Sequence, residues 1–171
     1  KGLYYLVKSF LKADIPNSEL LIVGGVSTRG LKKFITETLS QNPNIKQEFW
    51  NFSQDDPTKV FGKSSVLVLP SVEDGFGLVA LEAMACRLPV IVTSNCGAAD
   101  VVNNSVNGFI APPRDVKTMA NQLKFLAENE EMRVEMGRRA RITAQKYNQE
   151  VYQQQFCEIF AQQGLITPIF N

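Results

Sequence analysis

VLVLPSVEDGFGLVALEAMAC, residues Val66 to Cys86, decides the fold. Four apolar residues, Val66 to Leu69, make a strand with no polar alternation, as expected of a strand buried on both faces, and Pro70 ends it. Acids at 73 and 74 and glycines at 75 and 77 follow, and an apolar segment of helical composition runs from Leu78 to Cys86. A buried strand, an acidic and glycine-containing loop and a helix in that order form half of a βαβ unit. Ligands of open α/β sheets bind at such loops, outside the carboxyl ends of the strands.

Working outward, the same alternation of short apolar runs and helical spacing recurs. A helix is predicted over Leu3 to Lys12 and a strand over Glu19 to Val23, closed by Gly24-Gly25. Leu31, Phe34, Ile35, Thr38 and Leu39 share one helix face that stops near Asn42-Pro43. A weakly patterned strand is expected over Ile45 to Phe52, and a short helix over Pro57 to Lys63 behind the capping acids Asp55-Asp56. After Cys86 come a strand over Pro89 to Thr93, a helical turn over Ala98 to Val102 and a strand over Gly108 to Ile110. Helices are then expected over Val116 to Asn129, Glu131 to Tyr147 and Val151 to Gln162. The fold class is α/β: a Rossmann-like, doubly wound parallel sheet flanked by helices. Residues 1–163 are expected to form one domain and 164–171 a tail, without internal repeat or linker. Since such a unit ordinarily opens on a strand and this sequence opens on a helix start, a first strand is expected to be missing, leaving an unfilled position in the sheet.

Composition excludes several chemistries. The 171 residues contain no histidine, which removes Ser-His-Asp and Cys-His nucleophiles, histidine zinc sites and imidazole acid-base work within the chain. Cys86, Cys96 and Cys157 form no Cys-x-x-Cys pair, so neither a disulfide framework nor a thiolate metal site is indicated, and a reducing compartment is expected. A net charge of +1 gives no footprint for nucleic acid or an anionic membrane. No apolar run approaches the roughly 18 residues of a membrane span, and Lys1-Gly2-Leu3-Tyr4 has no signal-peptide layout.

The loop and helix after Pro70 carry a specific chemistry. Free amides and the dipole at the helix start favour an anion such as a diphosphate, and Gly75 and Gly77 let it approach the main chain. Glu82, one turn into the helix, can accept both hydrogen bonds of a ribose diol, and Asp74 stands where a polar group beyond the phosphates would lie. A nucleoside diphosphate bearing a sugar has those parts in that order. Two acids near a helix start are also what any helix dipole favours, and two glycines are also an ordinary turn. Gly24-Gly25 followed by Gly30 does not make the dinucleotide Gly-x-Gly-x-x-Gly. The basic cluster from Arg133 to Lys146 is interspersed with glutamates and reads as a solvated helix face.

The run EDGFGLVALEAMACRLPVI resembles the acid-x7-Glu segment of retaining glycosyltransferases of the large group 1 (family 4) type. Lys1-Gly2, Glu19 to Gly25, VLVLPS, Val101-Val102 and Asn107-Gly108-Phe109 resemble further elements of that family in the same order, over nearly the whole chain. The resemblance implies the C-terminal, nucleotide-sugar-binding half of a GT-B fold. The whole enzyme would transfer a sugar from a nucleoside-diphosphate donor, such as a UDP- or GDP-sugar, to an acceptor hydroxyl with retention, in polysaccharide or glycolipid biosynthesis. It implies that Lys1 contacts the diphosphate, Asp74 holds sugar hydroxyls, and amides around Gly75, Phe76 and Gly77 line the sugar. The amides of Leu78 and Val79 would then meet phosphate, Glu82 the ribose, and Gly24 with Phe52 and Ser53 the base. It further implies no cofactor and no metal, an N-terminal acceptor-binding domain and an arginine outside this chain, no nucleic-acid partner and a cytoplasmic location. Peripheral membrane contact by the full protein stays open.

Three departures stand out. Asp74 replaces the usual Glu, with Glu73 adjacent as a substitute; Arg87 stands where Gly is common after the helix; Asp100 replaces a common Glu, and Asn51 stands near a usual Gly. Alternatives are a non-catalytic binding or scaffolding domain derived from such an enzyme, and a GT-B sugar-nucleotide epimerase.

Overall fold

The computed structural model describes residues 1–26, 28–49, 56, 58–147, 151 and 158. In chain order the elements are α1 (Leu3–Ala13), β1 (Leu20–Val23), α2 (Arg29–Gln41), β2 (Ile45–Glu48), α3 (Thr58–Phe61) and β3 (Leu67–Leu69). There follow α4 (Leu78–Ala85), β4 (Val90–Thr93), a 3-10 turn (Gly97–Val101), β5 (Gly108–Ala111), α5 (Val116–Glu128), α6 (Glu130–Ala144) and a 3-10 turn (Gln145–Tyr147). The alternation read from the sequence is thus present, and all paired strands are parallel.

β4 is the centre of the larger sheet, ordered β3-β4-β5, with Leu67 opposite Val90, Leu69 opposite Val92, and Val90 opposite Gly108. All four β4 residues are buried. Successive side chains point to opposite faces. Val90 and Val92 accordingly pack with Ala80, Ala83 and Met84 of α4 and Ala140 and Ala144 of α6. Ile91 joins Leu6 of α1, Met119 and Leu126 of α5 and Met136 of α6. A strand covered on both faces needs apolar residues at every position, and this one has them until Thr93.

β1 and β2 form a second, two-stranded sheet, with Leu20 opposite Ile45 and Val23 opposite Glu48. Ile22, Ile35 and Ile45 pack there with Val7 and Phe10 of α1. Leu3 and Leu20 touch the cores of both sheets, so α1 and the start of β1 tie them together. No ladder joins β1 to β3 among the described residues.

Two expectations need amendment. β2 ends at Glu48, with Phe49 already outside it and the rest of the expected strand, residues 50–52, outside the described residues: Gly24 N–H donates to the Glu48 carbonyl at 2.9 Å, Gly24 has φ of 111°, and the ladder stops where β1 turns away. The short helix is Thr58–Phe61, capped by Asp56, whose Oδ1 accepts from the Thr58 amide at 2.9 Å. Asp55, Pro57, most of the helix expected over Val151 to Gln162 and the expected tail 164–171 lie outside the described residues.

Candidate functional site

The helix that follows β3 starts without a cap. Its N-cap residue is Gly77, with φ of 80° and ψ of 58°, and no side chain accepts from the first turn, which also lacks an acid. A helix leaves its first amides without intrahelical acceptors, so those of Leu78 and Val79 have none in α4. Glycine is required at 77: a Cβ in that left-handed conformation would lie 2.5 Å from Leu69 Cδ2 and 2.8 Å from Cys96 Sγ. The result is a tight, side-chain-free entry into a helix whose positive end is unopposed, which suits an anion.

Asp74 does not serve that helix. Its Oδ2 accepts from Lys1 Nζ at 2.5 Å and from Ser71 Oγ at 3.1 Å. The Asp74 side chain is only 11% exposed, against 75% for Lys1, and the Lys1 ammonium, with help from the Ser71 hydroxyl, holds its carboxyl below the usual range. The reading of Asp74 as a dipole-pleasing acid therefore does not fit the geometry. Glu73 is exposed, so of the two neighbouring acids it is Asp74 that the loop turns toward Lys1.

Lys1 reaches Asp74 across 73 positions of sequence because Gly2 rests on the chain leaving β3. Gly2 has φ of 72°, and a Cβ there would lie 1.7 Å from the Pro70 carbonyl oxygen. No other residue type fits both constraints, and the packing places the start of α1 at the C-terminal edge of β3. The segment after β4 holds the loop from behind. Asp74 N–H donates to the Asn95 carbonyl at 3.2 Å and Ala98 N–H to the Phe76 carbonyl at 2.7 Å, while Phe76 packs on the core.

Of the residues singled out in the sequence, Lys1, Asp74, Gly75, Phe76, Gly77, Leu78, Val79 and Glu82 lie on this one loop, the helix start behind it and the facing start of α1. Glu82 is exposed on α4 and its carboxylate has no ion pair among the described residues. Gly24 lies elsewhere, at the C-terminal end of β1, where its carbonyl accepts from Gln47 Nε2 at 2.8 Å. Next to it a groove of about 160 Å³ is lined by Gly25, Val26, Lys32, Ile35, Thr36, Gln47 and Phe49. Phe52 and Ser53 lie outside the described residues.

Sequence reasoning missed three residues. Phe49, 81% exposed at the rim of that groove, was read as part of a strand. Ser71 and Thr93, both fully buried, were read only as strand ends. A polar residue at the end of an otherwise solid apolar run was the available signal for both. Among the described residues no cluster of three or more Cys, Asp or Glu could hold a metal ion, and no helix is long and apolar enough to cross a membrane.

A family model described as glycosyl transferases group 1 matches residues 1–143. CapM, a capsular polysaccharide biosynthesis glycosyltransferase of Staphylococcus aureus, is 33% identical over 147 residues, covering 82% of this chain and 37% of CapM. Among solved structures, the sucrose-phosphate synthase of Thermosynechococcus elongatus superposes with a TM-score of 0.80 at 28% identity, over 95% of this chain and 42% of that one. Anabaena HepE, solved in complex with UDP-glucose, superposes with a TM-score of 0.82 at 22% identity, over 95% of this chain and 45% of that one. The chain thus spans less than half the length of these proteins.

Proposed function

This chain belongs to the group 1 glycosyl transferases, and from that premise we propose that it is the C-terminal, donor-binding half of a GT-B enzyme that transfers a sugar from a nucleoside-diphosphate sugar to an acceptor hydroxyl with retention. The observation that carries the reading is the meeting of Lys1 with Asp74 at 2.5 Å beside the uncapped start of α4. A cation, a carboxylate and an open helix terminus meet at the carboxyl edge of a parallel sheet, and each matches one part of such a donor.

In this reading the diphosphate lies against the amides of Gly77, Leu78 and Val79. Lys1 leaves Asp74 for the phosphate oxygens and, with the helix dipole, stabilises the charge that grows on the leaving group as the glycosidic bond breaks. Asp74 then accepts from sugar hydroxyls, the main chain of Gly75 and Phe76 lines the sugar, and Glu82 accepts both hydroxyls of the ribose. Offsetting the leaving charge in this way calls for no metal ion. The groove beside Gly24, with the Phe49 ring at its rim, is the candidate for the base. HepE with its bound UDP-glucose, and the part CapM plays in capsular polysaccharide synthesis, support a sugar nucleotide as ligand and a surface polymer or glycolipid as the product class. We place the whole protein in the cytoplasm and assign the acceptor to an N-terminal domain outside this chain.

A calorimetric panel of UDP-glucose, GDP-mannose and ADP-glucose tests the assignment on the wild-type chain and on Glu82→Ala. One donor should bind, and removing two charge-assisted hydrogen bonds should weaken it at least tenfold, on the order of 1.5 kcal/mol or more. An unchanged affinity in Glu82→Ala removes the ribose assignment. The substitution of Asp for the usual Glu at 74 favours a second reading, a binding domain that has lost turnover. In the full-length protein Asp74→Glu would raise transfer from nothing if that is so, and leave it equal or lower if the enzyme works as it stands.

A further inference from the structure

Asp74 is fixed from inside as well as from solvent. Its Oδ2 takes Lys1 on the outer side and the Ser71 hydroxyl on the inner side, while Oδ1 has no hydrogen-bond partner among the described residues. Ser71 is 0% exposed, and its own carbonyl accepts from the hydroxyl of Thr93, also 0% exposed. Thr93 closes β4, the strand whose other three residues are Val90, Ile91 and Val92. In that setting a valine would fill the same volume, and an alanine would fill most of the space of Ser71, without burying a hydroxyl. A buried hydroxyl costs free energy unless it is paired, so two of them in series, ending on a half-open carboxylate, need a role that packing does not supply.

We infer that Ser71 and Thr93 are positioning residues for the donor site: Thr93 holds the Ser71 main chain, and Ser71 holds Asp74 Oδ2 so that Oδ1 faces the sugar once Lys1 has moved to phosphate. The consequence for ligand rests on the donor-site reading above, whereas the holding of Asp74 does not. A lone Lys1–Asp74 contact would let the carboxylate swing free when the lysine leaves. With Ser71 retained, one oxygen stays anchored and the other keeps its aim. Asp has two side-chain torsions where Glu has three, so the single anchor at Ser71 restrains most of the freedom the carboxylate has.

Ser71→Ala and Thr93→Val delete the two hydroxyls, and Thr93→Ser restores one of them in a smaller side chain. Each variant is first checked for a wild-type melting profile, and either deletion alone suffices for the test. In the ligand-free chain the carboxyl carbon of Asp74 is titrated by NMR. Ser71→Ala removes a hydrogen bond to the charged form and should raise the Asp74 pKa directly; Thr93→Val frees the Ser71 main chain and should raise it by a smaller amount, which Thr93→Ser returns; an unmoved titration in Ser71→Ala overturns the inference. Affinities are then measured for whichever of UDP-glucose, GDP-mannose and ADP-glucose binds the wild type, and for the same nucleoside diphosphate without its sugar. The sugar nucleotide should weaken roughly tenfold and the bare diphosphate less than about twofold, since only the sugar meets Asp74. Equal weakening of both would mean that the hydroxyls serve the fold alone and would overturn the proposal. If the titration shifts as stated but no sugar nucleotide binds even the wild type, the positioning stands and the donor reading falls.

Discussion

Lys1 is three-quarters exposed, so its bond to Asp74 is worth little to the fold, at most about 1 kcal/mol by the usual measure of exposed pairs. Its value is in the ligand. Lys1→Ala should leave the melting temperature within a degree or two, while weakening the bare nucleoside diphosphate about tenfold. A calorimetric titration beside a thermal melt checks both halves. At this scale the sequence was informative wherever a residue type had few other uses. A glycine pair between an acid and a helix, and a carboxylate one turn inside that helix, could be placed on one loop and helix start from spacing alone, and the structure has them there. What spacing could not show was that Asp74 turns to Lys1, because that contact depends on Gly2 lying against the Pro70 carbonyl, a packing event between distant segments. Ser71 and Thr93 are marked in the sequence only as polar residues ending apolar runs, and the bond between them likewise depends on packing between distant segments.

Among the elements, α4 and α5 illustrate two helix ends handled in opposite ways. α5 has an N-cap, Asp115, whose Oδ1 accepts from the Thr118 amide at 3.0 Å and whose other oxygen accepts from the Thr118 hydroxyl. The Thr118 hydroxyl and then its amide hold the Asp115 carboxyl below the usual range. A lowered native pKa contributes stability above the unfolded value and loses it as pH falls through the native one. Asp115→Ala should therefore cost about 1 kcal/mol near neutral pH, and the two proteins should converge in stability as pH falls through the lowered native pKa of Asp115, read from denaturant unfolding at several pH values. α4 carries no such cap, and its far end passes into Arg87 with φ of 64°. A residue with a Cβ in that left-handed conformation carries backbone strain. Arg87→Gly should raise stability by up to about 1 kcal/mol with no change in donor affinity. Element types were legible because both faces of β4 are buried and the helices keep an apolar stripe. Boundaries were not always so: β2 ends at Glu48, because its end is set by the Gly24 turn in β1 and not by its own weak pattern.

For the whole molecule, the parallel architecture could be read from the alternation of elements, and the acidic, glycine-containing loop singled out in the sequence does follow the carboxyl end of β3. The division of the ladder between β1 and β3 shows in the hydrogen bonding, while α1 spans the break through Leu3 and its neighbours. Since the proposed acceptor half is separate, the isolated chain should bind a sugar nucleotide and transfer nothing, even with acceptor in excess. Radiolabelled donor would reveal any transfer, and detectable product would contradict the assignment of this chain as a donor half. Donor affinity should also be indifferent to a chelator such as EDTA, because Lys1 and the α4 terminus are assigned the charge that a metal would otherwise offset. The most direct measurement is a crystal structure of this chain with the sugar nucleotide that binds it. The account predicts the diphosphate against the amides of Gly77 to Val79, the ribose diol on Glu82 and Lys1 moved from Asp74 to phosphate; a ligand bound elsewhere, with the Lys1–Asp74 pair intact, would contradict it.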